Sequence, residues 1–114
     1  MAIMVRIVIA CIKKGTTNAK GRRTAEGFVL LKDSRIKSEI SPSLREYIKT
    51  LRVRYASMMD GDGILQQDIL LRSPNEAAQF VLGYPVNALT AWKNSDGKTL
   101  KEMENSEIIE DISI

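Results

Sequence analysis

The side chains able to do chemistry are unevenly distributed along this chain. Lys13, Lys14, Lys20, Arg22 and Arg23 crowd one polar stretch, KKGTTNAKGRRTAEG, and Arg45, Lys49 and Arg52 recur at i, i+4 and i+7 in the helical segment SPSLREYIKTLRVRYASMM. Clustered ammonium and guanidinium groups neutralise phosphates, and a Lys/Arg stripe is the electrostatic footprint of a polyanion partner. Residues 1–57 hold 13 Lys/Arg and 4 Asp/Glu, a balance of +9, whereas residues 58–114 hold 4 and 10, a balance of −6. The net charge of +3 hides this asymmetry, which points to a basic surface and an anionic partner. The competing reading of the helical stripe is a solvated flank of an amphipathic helix.

Other chemistries are poorly represented. There is no histidine and a single cysteine, Cys11, so the usual general base, triad partner and zinc ligands are missing. Cys11 sits in an apolar run and reads as a small buried hydrophobe. Asp60 and Asp62 in DGDG invite a calcium reading, but Ile64 and Leu65 occupy the next ligand places, so the segment reads as a turn. Neither a P-loop nor a G-x-G-x-x-G fingerprint occurs. The chain is therefore expected to be no enzyme, with no cofactor and no metal. Only six aromatics are present: Phe28, Tyr47, Tyr55, Phe80, Tyr84 and Trp92. A base-stacking platform would have few residues to draw on. Trp92 reads as a partly buried anchor before a stacking residue.

The elements that must position these groups come next. With 44% apolar and 27% charged residues over 114 positions, the chain has the make-up of one globular domain, expected over 1–104, with an acidic then Ile-rich tail over 105–114. Val8-Ile9-Ala10-Cys11 resembles a lipoprotein box, but Arg6 leaves too short an apolar run before it for a signal peptide. No stretch is long enough to span a membrane, and the default compartment is the cytoplasm. Met4–Ile12 reads as a strand, Lys13–Gly27 as a basic loop, and Gly27–Lys32 as a strand buried on both faces. Ser43 and Glu46 fit a capping box for the first helix, with Leu44, Ile48, Leu51, Tyr55 and Met58 as its buried stripe. Ile64–Arg72 reads as a strand with a bend. Ser73-Pro74-Asn75-Glu76 is a second capping box, opening a helix that Gly83 stops. ALTAWK reads as a strand and NSDG as a hairpin turn. The expected fold is α+β, a small mainly antiparallel sheet packed against two capped helices.

AEGFVLLKDS (Ala25 to Ser34) and LLRSPNEAAQFVLGYPVNALTAWKNSDGKTL (Leu70 to Leu100) together resemble the bacterial domain of unknown function 4357 family. Its pattern has a GFVVLKGS-like strand and turn, a Ser-Pro-Ser-like helix start, then AA, LG, NG, WK and DGKTL. The likeness covers about Ala19 to Glu102, and is also distantly similar to a domain attached to restriction and modification enzymes. Asp33 stands where the pattern has Gly, Asn75 where it has the second Ser, and Asn87-Ala88-Leu89 where it has Asn-Gly-Trp. The resemblance implies an accessory role near DNA, since members are often C-terminal attachments to nuclease-like proteins, including the GIY-YIG type. The leading expectation is thus a non-catalytic module binding DNA or another anionic polymer. Its site would be Lys13, Lys14, Lys20, Arg22 and Arg23 with Arg45, Lys49 and Arg52, and Asn87, Trp92 and Lys93 as secondary candidates. The alternative is a protein-interaction or homodimerisation module in which Ile108 to Ile114 pairs with a sheet edge.

Overall fold

The structure, a computed structural model, describes residues 9–102. The expected strand before Ile9 and the tail from 105 onward lie outside the described residues. Four strands, β1 (Ile9–Lys14), β2 (Thr17–Thr24), β3 (Gly27–Leu30) and β4 (Ile69–Leu71), form one antiparallel sheet in the order β1-β2-β3-β4. Three α-helices, α1 (Glu46–Arg54), α2 (Pro74–Leu82) and α3 (Ala88–Ala91), and a 3-10 turn at Ala56–Met58 complete the described elements. The fold is the small α+β arrangement expected.

The stretch read as a basic loop is instead strand β2. Ala10 pairs with Gly21, Cys11 with Lys20, Ile12 with Ala19 and Lys13 with Asn18. Thr17, Ala19 and Gly21 are buried and Asn18 and Lys20 are exposed, a period-2 alternation that specifies a half-buried strand. Gly21 has no room for a side chain because it lies under a ring: a Cβ there would stand 2.2 Å from Cε1 of Phe28. Conventional hydrophobic alternation is thus absent although the pleat is obeyed. Likewise β3 buries Phe28 and Leu30 but only half-buries Val29. It is covered on one face, not two. The expected Ile64–Arg72 strand shrinks to Ile69–Leu71, preceded by single bridges from Ile64 to Arg35 and from Leu65 to Met59.

α2 packs across β2, β3 and β4, and its alanines Ala77 and Ala78 are fully buried. Their small side chains let the helix approach the sheet closely. Its ends are punctuated as the sequence implies. Ser73 Oγ accepts from the Glu76 amide at 3.2 Å, Pro74 opens the helix, and Gly83 adopts φ 77° at the C-cap, a left-handed turn open to Gly without a Cβ penalty. The other end of the sheet is locked at Gly27, where a Cβ would stand 2.2 Å from the Leu71 carbonyl oxygen.

α1 differs from expectation at its start. Ser43 does not cap it: its hydroxyl meets Ser41 Oγ at 2.7 Å, and Arg45 holds the N-cap position without a side-chain bond. The Leu44 amide closes a turn onto the Ser41 carbonyl, and that turn seats Leu44 in the core before the helix begins. Ile48 and Leu51 are buried on α1, with Tyr55 and Met58 half-buried beyond it. α1 packs on α2. ALTAWK is also corrected: Ala88–Ala91 is one helical turn, because Asn87 caps it by accepting from the Leu89 amide at 2.9 Å. NSDG is the expected turn. Asn94 Oδ1 accepts from the amides of Asp96 and Lys98, and Lys93 pairs with Thr99 across it. DGDG is likewise a turn, with Asp60 Oδ1 accepting from the amides of Asp62 and Ile64.

Candidate nucleic-acid interface

The sheet sorts the basic residues by face. Residues directly opposite one another on antiparallel strands project to the same side. On the side away from the helices, three cross-strand rows follow from the register. Ile9, Arg22, Val29 and Leu70 form one row. Lys93, Cys11 and Lys20 form the next, because Cys11 exchanges two backbone hydrogen bonds with Lys93, of 2.7 and 3.0 Å. Lys13, Asn18, Arg35 and Ile64 form the third. Five cations, Lys13, Lys20, Arg22, Arg35 and Lys93, therefore share one face, and none of these registered positions carries a carboxylate.

Neighbouring strands stand ~4.8 Å apart, so the backbones of Lys93 and Lys20, two strands apart, are separated by ~10 Å. Where the edge of β1 meets the α2–α3 connection, the face continues into a groove of about 840 Å³ lined by Lys13, Lys14, Lys20, Lys93, Tyr84 and Thr90. Lys14 belongs to the groove but is committed there: its Nζ donates to Tyr84 Oη at 2.7 Å and lies 5.0 Å from the ring centroid. Lys37 lies 5.4 Å from the same ring.

The remaining sequence candidates are placed elsewhere. Arg23 pairs with Phe28 in the register, so it points to the helix side of the sheet, at its rim. Arg45, Lys49 and Arg52 lie on or next to α1 in the helical layer and do not join the sheet-face cations. Lys49 pairs with Glu46 at 3.2 Å. Arg52 is structural. Its Nε donates to the Phe80 carbonyl at 2.7 Å, its Nη2 to the Val81 carbonyl at 3.3 Å, and its guanidinium lies 5.7 Å from the Phe80 ring. It thus caps the negative end of α2. Burial lowers its pKa to about 10.

Asn87 is occupied as the α3 cap. Trp92 is 0% exposed, its ring 4.8 Å from that of Phe28 and its Nε1 donating to the Pro74 carbonyl at 3.0 Å, so it offers no face to a ligand. Cys11 is half-exposed rather than buried, because it occupies the outward position between buried Ala10 and Ile12. Arg35 was not among the sequence candidates. Its signal is the Ser34-Arg35-Ile36 alternation, in which the flanking pair is buried, but the segment is too short to announce a strand.

Two departures from the family pattern meet in space: Asn75 Oδ1 accepts from the Ala88 amide at 2.8 Å, so the longer side chain at the start of α2 fastens the start of α3. The third, Asp33, has φ 73°, the left-handed conformation that glycine adopts most freely. Among the described residues no group of three or more acidic or Cys side chains could hold a metal ion, and no helix is long and apolar enough to cross a membrane. No curated protein and no solved structure matches the chain. The sequence model for domain of unknown function 4357 matches residues 9–104, and its span takes in all four strands and all three helices. The chain belongs to the domain of unknown function 4357 (DUF4357) family.

Proposed function

We propose that this domain is a non-catalytic binding module whose ligand is the phosphate backbone of duplex DNA or a similar polyanion, bound on the open face of the sheet. The observation that carries this reading is the grouping of Lys13, Lys20, Arg22, Arg35 and Lys93 on that face through the register of β1, β2 and their bridges. The likeness of the family to attachments of nuclease-like proteins agrees with it as an association. Backbone contact is favoured over base stacking because the aromatics are engaged elsewhere. Phe28, Phe80 and Trp92 are buried, Tyr55 packs edge-on to Phe80, Tyr47 bonds Glu76 and Tyr84 is flanked by two lysines. None of the six stands in the outward rows, so nothing there intercalates or stacks on an unpaired base.

The reading is tested by fluorescence anisotropy with a labelled duplex, comparing K20E/K93E with R45E/K49E. Loss of binding in the first pair and retention in the second is expected. Equal loss in both, or none in either, overturns the sheet-face assignment. A second reading, self-association, is favoured by the apolar row Ile9, Val29 and Leu70 on the same face, where Leu70 is 46% exposed on the edge strand β4. It predicts that L70K lowers the mass in solution, measured by light scattering. The tail segment 108–114 first considered for such pairing lies outside the described residues.

A further inference from the structure

The cationic sheet face has no counter-charge of its own. Lys13, Lys20, Arg22, Arg35 and Lys93 stand in its rows without a carboxylate. Among the described residues none of the five is ion-paired; the pair formed there, Lys49 with Glu46, lies on α1. Like charges gathered on one face repel one another and favour any anion within reach. The face is also partly apolar. In the row that holds Arg22, Ile9 is 37% and Leu70 46% exposed, and Val29 is half-buried.

The chain carries a segment of matching chemistry, and it starts beside this face. Lys93 pairs with Cys11 on one side and with Thr99 on the other, so Thr99 continues the row of Lys20, Cys11 and Lys93. Glu102 is tied to that position, its Oε1 accepting from the Thr99 hydroxyl at 3.1 Å. Residues 103–114, MENSEIIEDISI, follow directly. They hold four carboxylates, Glu104, Glu107, Glu110 and Asp111, no Lys or Arg, and the isoleucines Ile108, Ile109, Ile112 and Ile114. Four strand spacings, ~19 Å, separate Lys93 from β4 across the face. Residues 103–114, fully extended, reach ~40 Å.

We propose that residues 103–114 lie on the cationic sheet face of their own chain and compete with duplex DNA for it. The inference rests on the polyanion reading and adds its regulation. The four carboxylates meet the lysine and arginine rows, and the isoleucines cover the row of Ile9, Val29 and Leu70. Single exposed ion pairs are weak, but a short tether supplies an effective concentration in the millimolar range, so several weak contacts act together. The competition is reversible. A duplex presents one charge per ~1.7 Å of its axis, a denser line than the segment, and displaces it.

The test compares the native chain with E104Q/E107Q/E110Q/D111N, which keeps the length, the isoleucines and every described residue. Amide chemical shifts report docking without DNA, and anisotropy with the labelled duplex reports competition. Neutralising the segment should shift the amides of Cys11, Lys20, Arg22, Val29 and Lys93. It should also tighten duplex binding about tenfold, the combined scale of several exposed ion pairs. Made in K20E/K93E, the same four changes should leave those amides where they are. Shifts confined to the neighbours of Glu102 overturn the docking. Shifts that grow with protein concentration place the segment on a second copy and overturn the assignment to its own chain. Duplex bound equally by both chains defeats the competition alone. If the sheet-face amides shift but neither chain binds duplex, the polyanion reading fails and the competition with it.

Discussion

Replacing Arg52 by Met separates a structural cation from a ligand-binding one. The helix α2 ends with four carbonyls that lack a partner within the helix. The Gly83 amide serves Gln79, and the Lys37 amide serves Val81 at 3.0 Å. The described bond to the Phe80 carbonyl comes from Arg52 Nε at 2.7 Å. Methionine keeps the aliphatic stem against Phe80 but removes both N–H donors, so the Phe80 carbonyl is left inside the structure without them. A hydrogen bond involving a charged group contributes ~1.5–3 kcal/mol, and a cation at a helix C-terminus adds ~0.3–1 kcal/mol. The relieved desolvation of the guanidinium returns part of this, leaving a net loss of about 2 kcal/mol for R52M. Lysine can reach one carbonyl but not both, so R52K should lose about 1 kcal/mol.

Urea unfolding followed by far-ultraviolet circular dichroism measures this directly. At a slope of about 1.5 kcal/mol per molar, usual for small domains, R52M should lower the midpoint by about 1.3 M. R45M, at the exposed N-cap position of the same helix, should stay within ~0.5 kcal/mol, as exposed substitutions do. If R52M also stays within that window while duplex binding falls, Arg52 is a ligand contact and the capping argument is wrong.

Four shorter predictions accompany it. S73A removes the side-chain cap of α2 and should cost ~1 kcal/mol in the same assay; no loss would mean the Ser73–Glu76 bond carries no weight. W92F deletes the donor to the Pro74 carbonyl and part of a fully buried ring, so a loss of about 2–3 kcal/mol is expected, and a loss below 1 kcal/mol would place the indole outside the core. D33G relieves the left-handed backbone at Asp33 and should raise stability by ~0.5 kcal/mol, whereas D33V should lower it by more than 1 kcal/mol; the reverse order would refute that conformation. Because the Arg52 pKa falls to about 10 on folding, the unfolded chain binds more protons above that pH. This group then makes stability rise with pH from about 10 up to the unfolded value. The difference between the native chain and R52M should therefore widen between pH 8 and 10.5, by roughly half a kcal/mol after allowing for solvent screening of a partly exposed group. A constant or shrinking difference contradicts the lowered pKa.

Helix α2 was readable because its punctuation is local: Ser73, Pro74 and Gly83 each act within one turn of where they stand. β2 was not, since its inward residues, Thr17, Ala19 and Gly21, are small or polar. At Gly21 the need for smallness comes from Phe28 on the neighbouring strand, which the local sequence does not contain. ALTAWK misled for a related reason. Its β-like composition is overridden by the Asn87 cap and by Asn75, thirteen residues earlier, holding the Ala88 amide. Ser43 and Glu46 have capping-box spacing, yet Ser41 takes the Ser43 hydroxyl and the pattern goes unused.

For the candidate site, the residue types were legible and the grouping was not. Lys13, Lys20 and Arg22 stand out as basic in any reading, but which side they share depends on the pleat of a strand mistaken for a loop. Lys93 and Arg35 join them through backbone bridges across 82 and 17 positions, Lys93 to Cys11 and Arg35 to Asn18. Arg52 had the same spacing as Arg45 and Lys49, and only the position of α2 distinguishes it.

The most direct measurement is the salt dependence of duplex binding. Four or five phosphate contacts from the sheet face predict that log K falls against log salt with a slope of about −4, a loss of a few hundredfold between 50 and 200 mM. K20A/K93A removes two of those contacts and should flatten the slope by about 1.8. A native slope near −4 that flattens in this way is the expected result. No binding at 50 mM salt, or a slope that K20A/K93A leaves unchanged, contradicts the account.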